Sequence, residues 1–294
     1  MPLQSMTGFG RCEIERDGRR MNVEIKTVNS RYLEASIRLP RVLSALEETA
    51  RGRIRARLAR GRCDVFIHYQ NLRSDSREAT VDEGLLAAYL EAYRKIAEVG
   101  GLPNDATAGL LARMPDVLTI SDAQEDEEVL KALLCETVDG AVENLVQMRT
   151  VEGGKLAQDI ESRLQEMERQ LSVVEGRVGL VVAEYRDRLY ARIAELTQGK
   201  APVDEARLAT EVALFADRCA IDEELVRLRS HISGCRDMLQ EAKPVGRNLD
   251  FLVQEFNREV NTICSKSSDL TITQAGLAMK NEVEKIREQV QNIE

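Results

Sequence analysis

The sequence predicts an α+β protein: an N-terminal antiparallel sheet with a packed helix, followed by long helices and a C-terminal helical domain. Three observations carry this reading. Apolar and polar residues alternate in several runs before residue 70, and after residue 76 apolar residues recur almost entirely at helical spacing. The composition is rich in charge (31%) and poor in aromatics (4%, without Trp), as long solvent-facing helices require.

Met21, Val23 and Ile25 alternate with polar neighbours, as do Leu33, Ala35, Ile37 and Leu39, then Cys63, Val65, Ile67 and Tyr69. Period two marks half-buried strands, and Asp17-Gly18 before the second run is a hairpin turn signal. Between Pro40 and Gly61 the period changes, and Leu43, Leu46, Ala50, Ile54 and Leu58 share one helical face. The expected order is therefore β-β-β-α-β. Asp64, Phe66 and His68 fall on the other face of the last strand, where a lone histidine is read as structural.

Beyond Ser74-Asp75-Ser76 the pattern is helical. Asp82 is placed to cap a helix reaching about Val99, and Gly100-Gly101-Leu102-Pro103 stops it. A short helix over 107–114 ends at Met114-Pro115. No Pro occurs from Glu125 to Gln198, and Leu156, Ile160, Leu164, Met167, Leu171, Val174, Val178, Val181 and Tyr185 follow a heptad-like spacing. This predicts a long helical arm, with Gly153-Gly154 as the place for a bend or a helix pair. The break at Gly199–Pro202 sets off the last segment. The expected division is 1–150 (sheet plus helix), 151–202 (arm) and 203–294 (helical domain).

At 294 residues the chain can bury a substantial core. No apolar run reaches the length of a membrane span, and the first residues lack the apolar core of a signal peptide. Six scattered Cys without a C-x-x-C pair read as reduced thiols in a cytoplasmic protein. The net charge of −9 is unevenly spread, because residues 1–75 carry 15 Lys or Arg against 9 Asp or Glu. Arg51, Arg53, Arg55, Arg57, Arg60 and Arg62 form a dense basic cluster. Such a patch can neutralise phosphates even on an acidic protein, or it can be a solvated helix whose stems cover apolar neighbours. Nucleotide-loop, nucleophile-elbow and dinucleotide motifs are absent from the sequence.

Chemistry concentrates near the C-terminus. On a helix over 204–239, Asp217, Glu224 and His231 fall within about 40° of one another, with neighbours about 10.5 Å apart along the axis. On the next helix, 246–261, Glu255 and Glu259 stand one turn apart on one flank. Two such carboxylates are half of a metal site, and an imidazole favours Mn²⁺ over Mg²⁺. The same charges also suit ion pairs with Arg218, Arg227, Arg229 and Arg258. The loop Ser265-Lys266-Ser267-Ser268 suits either a phosphate or a helix cap.

SMTGFGR (5–11), VNSRYLE (28–34), RLP (38–40) and RARLARGR (55–62) stand in the N-terminal part. DEELVRLRSH (222–231), GRNLDFLVQEFNREVNT (246–262), SKS (265–267) and EKIREQVQNIE (284–294) stand in the C-terminal part. Through these blocks the chain closely resembles the YicC/YloC family of bacterial endoribonucleases. The resemblance implies a cytoplasmic, metal-dependent RNase, Mn²⁺-assisted, that cuts single-stranded or loosely structured RNA and assembles as a homohexamer. With it, Glu224, His231, Glu255 and Glu259 become the expected metal ligands, the first three also catalytic. Arg218, Arg227, Arg247 and Lys266 are expected to hold phosphates, while Arg31, Arg53, Arg57 and Arg60 guide the strand. Where the family pattern has Asp, this chain has Ala220, read as a lost ligand position one turn before Glu224. Two functions follow: a metal-dependent endoribonuclease, inactivated here if Ala220 removes an essential ligand, or an oligomeric RNA-binding adaptor without catalysis.

Overall fold

The computed structural model describes residues 3–30, 32–75, 77–122, 125–198, 202–241 and 245–293, and of residues 121, 122 and 247 the backbone alone. β1 (Gly8–Arg16) and β2 (Arg19–Val28) form a hairpin in continuous register from Gly8↔Thr27 to Arg16↔Arg19. Asp17 and Gly18 turn it with φ of 51° and 69°. Two successive positive φ values give a turn whose twist matches that of the strands. β3 (Leu33–Arg38) leads through a 3-10 turn (Arg41–Leu46) into α1 (Glu47–Arg55), and β4 (Gly61–Asn71) returns between β2 and β3.

The sheet departs from the wholly antiparallel expectation at one pair, because β3 runs parallel to β4. The intervening helix carries the chain back to the end of the sheet from which β3 started, so β4 leaves in the same direction. A second, two-stranded sheet of β5 (Arg77–Val81) and β6 (Leu118–Asp122) was not expected. Every residue of β5 is exposed, so no apolar stripe announces it. Between these strands, α2 (Glu83–Gly100) begins at Asp82, whose carboxylate accepts from the Leu85 N–H at 2.8 Å. It ends at Gly101, in the left-handed region at φ 62°. The expected helix over 107–114 shortens to α3 (Ala108–Leu111).

α4 (Glu127–Leu196) is one continuous helix of 70 residues, about 105 Å long. The helix pair that Gly153-Gly154 could have separated is absent, because the helix runs through both glycines. Gly153 is instead a crossing point, where a Cβ would run into the main-chain carbonyl of Leu3. Positions 150 and 151 therefore lie inside an unbroken helix. Its first half buries Leu130, Leu134, Val138, Ala141 and Leu145 against the inward residues of β2 and β4 and against Ile54 of α1. Its second half buries Ile160, Leu164, Met167, Leu171 and Val174, at alternating spacings of four and three, against the C-terminal helices.

Those helices are α5 (Glu205–Arg218), α6 (Asp222–Gln240), α7 (Gly246–Lys266) and α8 (Leu270–Val290). The single helix expected over 204–239 is broken at residues 219–221. Ile221 leaves helical geometry (φ −127°, ψ 13°) and buries its side chain, and Asp222, Glu223 and Glu224 then occupy a new helix's first turn. Carboxylates are favoured there by the helix dipole. α7 runs past the expected end at Asn261 because Ile263, fully buried, continues the stripe of Leu249, Val253, Phe256 and Val260. Ser265 and Lys266 are thus helical, and only Ser267 and Ser268 of the expected loop lie beyond the helix.

Residues 3–6 cross the middle of α4 and bind residues 292 and 293. The Ser5 N–H donates to the Arg149 carbonyl at 2.9 Å, and the buried Arg149 guanidinium donates back to the Ser5 carbonyl. The Met6 N–H donates to the Asn292 carbonyl at 2.8 Å, and Ser5 bridges to Ile293. β1 then lies directly on α4: a Cβ at Gly10 would meet the Ala141 carbonyl and come within 2.7 Å of Leu145. Gly10→Ala is expected to cost about 2–3 kcal/mol by overpacking. Urea denaturation checks this, and an unchanged midpoint would contradict the close approach.

Candidate functional site

α6 and α7 pack against each other along a seam rich in charge. Their apolar stripes, Leu225, Leu228 and Ile232 on α6 with Leu249, Phe256 and Val260 on α7, face the common core. The flanks beside those stripes therefore meet, and what they carry is polar. Two ion pairs and one titratable cluster follow one another along the seam.

Among the described residues, one group of three metal-ligating side chains converges: His231 of α6 with Glu255 and Glu259 of α7. One ligand atom from each lies within 4.8 Å of the other two. Glu255 and Glu259 come together because i, i+4 residues stack on one helix face, and His231 closes the set from the facing helix. Glu259 is buried, whereas His231 and Glu255 are half-buried and so reachable from solvent. One imidazole and two carboxylates suit a divalent ion such as Mn²⁺. Arg227 Nη1 stands 4.0 Å from Glu259 Oε1, and Arg258 lies 3.5 Å from Glu255.

Glu224 does not join this group. It starts α6, two helical turns before His231, and there it meets Lys266 from the last turn of α7. Lys266 Nζ donates to Glu224 Oε1 at 2.9 Å and to the Ala220 carbonyl at 3.0 Å. Glu224 is buried, and its second oxygen, Oε2, has no hydrogen-bond partner among the described residues. Burial alone would raise the Glu224 carboxyl pKa. The Lys266 hydrogen bond, a bond from its own main chain and the charges of Lys266 and Arg227 outweigh that and hold it below the ordinary value.

Ala220 lies in the break before α6, so it is not one helical turn from Glu224 on a shared flank as the single-helix reading required. Asp217 is likewise on α5 and exposed. Ala220 lines a cavity of about 180 Å³ together with Val178, Val181, Cys219, Asp222 and Ser267.

The expected RNA-guiding residues separate into tied and free groups. Arg53 pairs with Asp139 of α4 at 3.2 Å, and Arg227 pairs with Glu223 at 2.8 Å. Arg60 turns inward, with Nη2 3.0 Å from the Met6 sulfur. Arg51 and Arg55 are paired with acids of their own helix. Arg57 and Arg218 are exposed and have no ion-pair partner among the described residues. Arg31 and the side chain of Arg247 lie outside the described residues. What the sequence did not signal is the tie of α6 to α4. Arg236 holds Glu161 and Glu168 at 3.1 and 2.8 Å, and Arg229 holds Glu175 at 2.7 Å. These residues lie more than fifty positions apart in sequence, beyond any local spacing rule.

The Glu224–Lys266 pair generates a prediction with a definite sign. A carboxyl whose folded pKa is depressed stabilises the fold above its unfolded pKa, and that contribution disappears as pH falls through the lower folded value. Urea midpoints of the native chain should therefore drop on acidification below about pH 4.5. Glu224→Gln should show a shallower drop, and Lys266→Met, which strands the buried carboxylate, should lower stability at pH 7 by about 1–3 kcal/mol. Identical acid slopes in native chain and Glu224→Gln would contradict the pairing.

Comparison with known proteins finds similar sequences over nearly the whole chain. Residues 3–158 match the family model described as endoribonuclease YicC-like, N-terminal region, and residues 174–294 match endoribonuclease YicC-like, C-terminal. A probable endoribonuclease YicC of Clostridioides difficile (strain 630) is 41% identical over 290 residues, covering 99% of both chains. One of Haemophilus influenzae (strain ATCC 51907 / DSM 11121 / KW20 / Rd) is 32% identical over 293 residues, covering 99% of this chain and all of the relative. With both halves matched and relatives aligned end to end, the chain belongs to the YicC-like endoribonuclease family.

Proposed function

We propose that the protein is an endoribonuclease that hydrolyses phosphodiester bonds in single-stranded or loosely structured RNA with the help of a divalent ion, Mn²⁺ or Mg²⁺. The observation that carries this reading is the convergence of His231, Glu255 and Glu259 beside Arg227. The donor set fits: three ligand atoms within 4.8 Å, one from a buried carboxylate whose ion-pair partner among the described residues is Arg227 at 4.0 Å. When bound, such an ion lowers the pKa of a coordinated water and offsets charge on the reacting phosphate.

The chain's own residues do the rest. Glu255 and Glu259 offer carboxylate oxygens to the ion and His231 an imidazole nitrogen. Arg227, 4.0 Å from Glu259, and Lys266, two turns along α7 from Glu259, supply cations for phosphate oxygens. Arg57 and Arg218, exposed and unpaired among the described residues, are the remaining cations suited to guiding the strand. Glu224 acts at one remove, by fixing Lys266. Ala220 lies outside the triad, so a carboxylate at that position is not a condition for activity.

We also assign the protein to the cytoplasm and to a homo-oligomer, a hexamer by family likeness. All six cysteines are free thiols, and no helix among the described residues is long and apolar enough to cross a membrane. Self-association is supported by α2, none of whose residues is buried, and by Val99 and Ile120, 83% and 68% exposed.

Cleavage of an end-labelled single-stranded RNA with Mn²⁺ or EDTA tests the function. The native chain should cut only with the ion, Ala220→Asp should not be required, and Glu255→Gln or Glu259→Gln should lose about 100-fold or more. Attack by water leaves a 5′-phosphate and a 3′-hydroxyl, whereas attack by the RNA's own 2′-hydroxyl leaves a 2′,3′-cyclic phosphate. Uncut RNA that still binds would overturn the nuclease in favour of an oligomeric RNA-binding adaptor.

A further inference from the structure

The four-stranded sheet has two unlike faces. One is covered by α1 and α4; the other is open and is not used by the triad. The strand register lays its side chains out in rows. Arg11, Glu24, Phe66 and Arg38 form one row, Glu13, Asn22 and His68 the next, and Glu15, Arg20 and Gln70 the third. Rows on one face of a sheet are about 7 Å apart.

Three features of this face point to the same ligand chemistry. First, two rings carry cations over them: the Arg38 guanidinium lies 5.2 Å from the Phe66 centroid, and Lys26 Nζ lies 6.0 Å from that of Phe9. Neither Arg38 nor Lys26 has an ion-pair partner among the described residues. The acids nearby are already engaged, since Glu13 accepts from Arg11 at 3.0 Å and Glu15 from Arg20 at 2.7 Å. Second, a pocket of about 300 Å³, the size of a nucleobase with its sugar, is sunk into the face beside Phe66 and lined by Glu13, Arg20, Asn22, His68 and Gln70. Third, several of its hydrogen-bonding groups are unused. His68 and the Gln70 amide are exposed without a side-chain partner among the described residues. Asn22 accepts from Arg11 through Oδ1 and keeps its amide N–H groups free. Apart from Val28 at a strand end, the open face carries no aliphatic side chain, which disfavours an apolar protein partner.

We propose that this open sheet face binds single-stranded RNA: one base stacks on the Arg38 guanidinium that lies over Phe66, and the adjoining pocket takes an unstacked base, guanine in preference to the others. Stacking on guanidinium planes and aromatic rings is a general solution for single strands. Guanine fits best because its O6 and N7 acceptors lie side by side on one edge, matching the amide N–H groups of Asn22 and Gln70, which have no partner among the described residues. This inference rests on RNA being the substrate and adds a base-reading surface separate from the α6–α7 seam.

The test uses the full chain in EDTA, so that binding is read without cleavage. Fluorescence anisotropy compares oligouridylate with the same oligomer carrying one central guanosine. The native chain should prefer the guanosine-bearing strand by about tenfold. Phe66→Ala should weaken both strands by about tenfold. Asn22→Ala combined with Gln70→Ala should remove the guanosine preference and leave oligouridylate affinity unchanged. RNA binding that is equal for both strands and unmoved by these variants overturns the pocket, while Mn²⁺-dependent cleavage by the same variants leaves the nuclease reading standing. Unmoved RNA binding with a changed mass in sedimentation overturns it in favour of a subunit contact. A native chain that neither binds nor cuts RNA overturns both readings together.

Discussion

The structure depends on α4 burying two different stripes along one continuous helix. Its first half offers Leu130, Leu134, Val138, Ala141 and Leu145 to the sheet, and its second half offers the Ile160–Val174 series to the C-terminal helices. A helix this long cannot be stabilised by local propensity alone, so each half is held by the layer it covers. The consequence runs both ways. Sheet and helical layer each lose their apolar lid if α4 breaks, which explains why the helix continues through Gly153-Gly154: residues 3–6 cross there and are tied to Arg149 and to residues 292 and 293.

That spine also positions the candidate centre. α6 is fixed to α4 by Arg229 and Arg236, and α8 is fixed by Arg163 to Glu282 and by Arg177 to Asp269. α7 lies between α6 and α8, so the seam that carries His231, Glu255 and Glu259 is clamped from both sides. Along this seam opposite charges alternate: Lys266 with Glu224, Arg227 with Glu259, then the triad. A buried carboxylate such as Glu259 needs a cation close by, and Arg227 at 4.0 Å supplies only a loose one. An added divalent ion at the triad would relieve the remaining mutual repulsion of the two carboxylates.

Local chemistry was legible in the sequence wherever it decides a backbone choice within a few residues. Asp17-Gly18 turns the hairpin, Asp82 caps α2, Gly101 ends it, and the heptad spacing of Ile160 to Val174 names the buried stripe. The pairing of Glu255 with Glu259 is likewise a matter of helical phase. What escaped was set by tertiary demands. No Pro or Gly marks the break at 219–221; burial of Ile221 forces it, and with it the assumed alignment of Asp217, Ala220 and Glu224 dissolves. Lys266 reads as a loop residue until Ile263 carries α7 onward, and only then does it reach Glu224. The parallel placement of β3 and the exposed pair β5–β6 depend on where a chain returns, which periodicity does not encode.

The central claim is that one divalent ion is held by His231, Glu255 and Glu259, with Glu224 engaged elsewhere. Electron paramagnetic resonance of Mn²⁺ titrated into the full chain tests it without recourse to cleavage. The account predicts one tight ion per chain, lost in His231→Ala and Glu259→Gln and retained in Glu224→Gln. Loss of the ion in Glu224→Gln, with retention in His231→Ala, would contradict it.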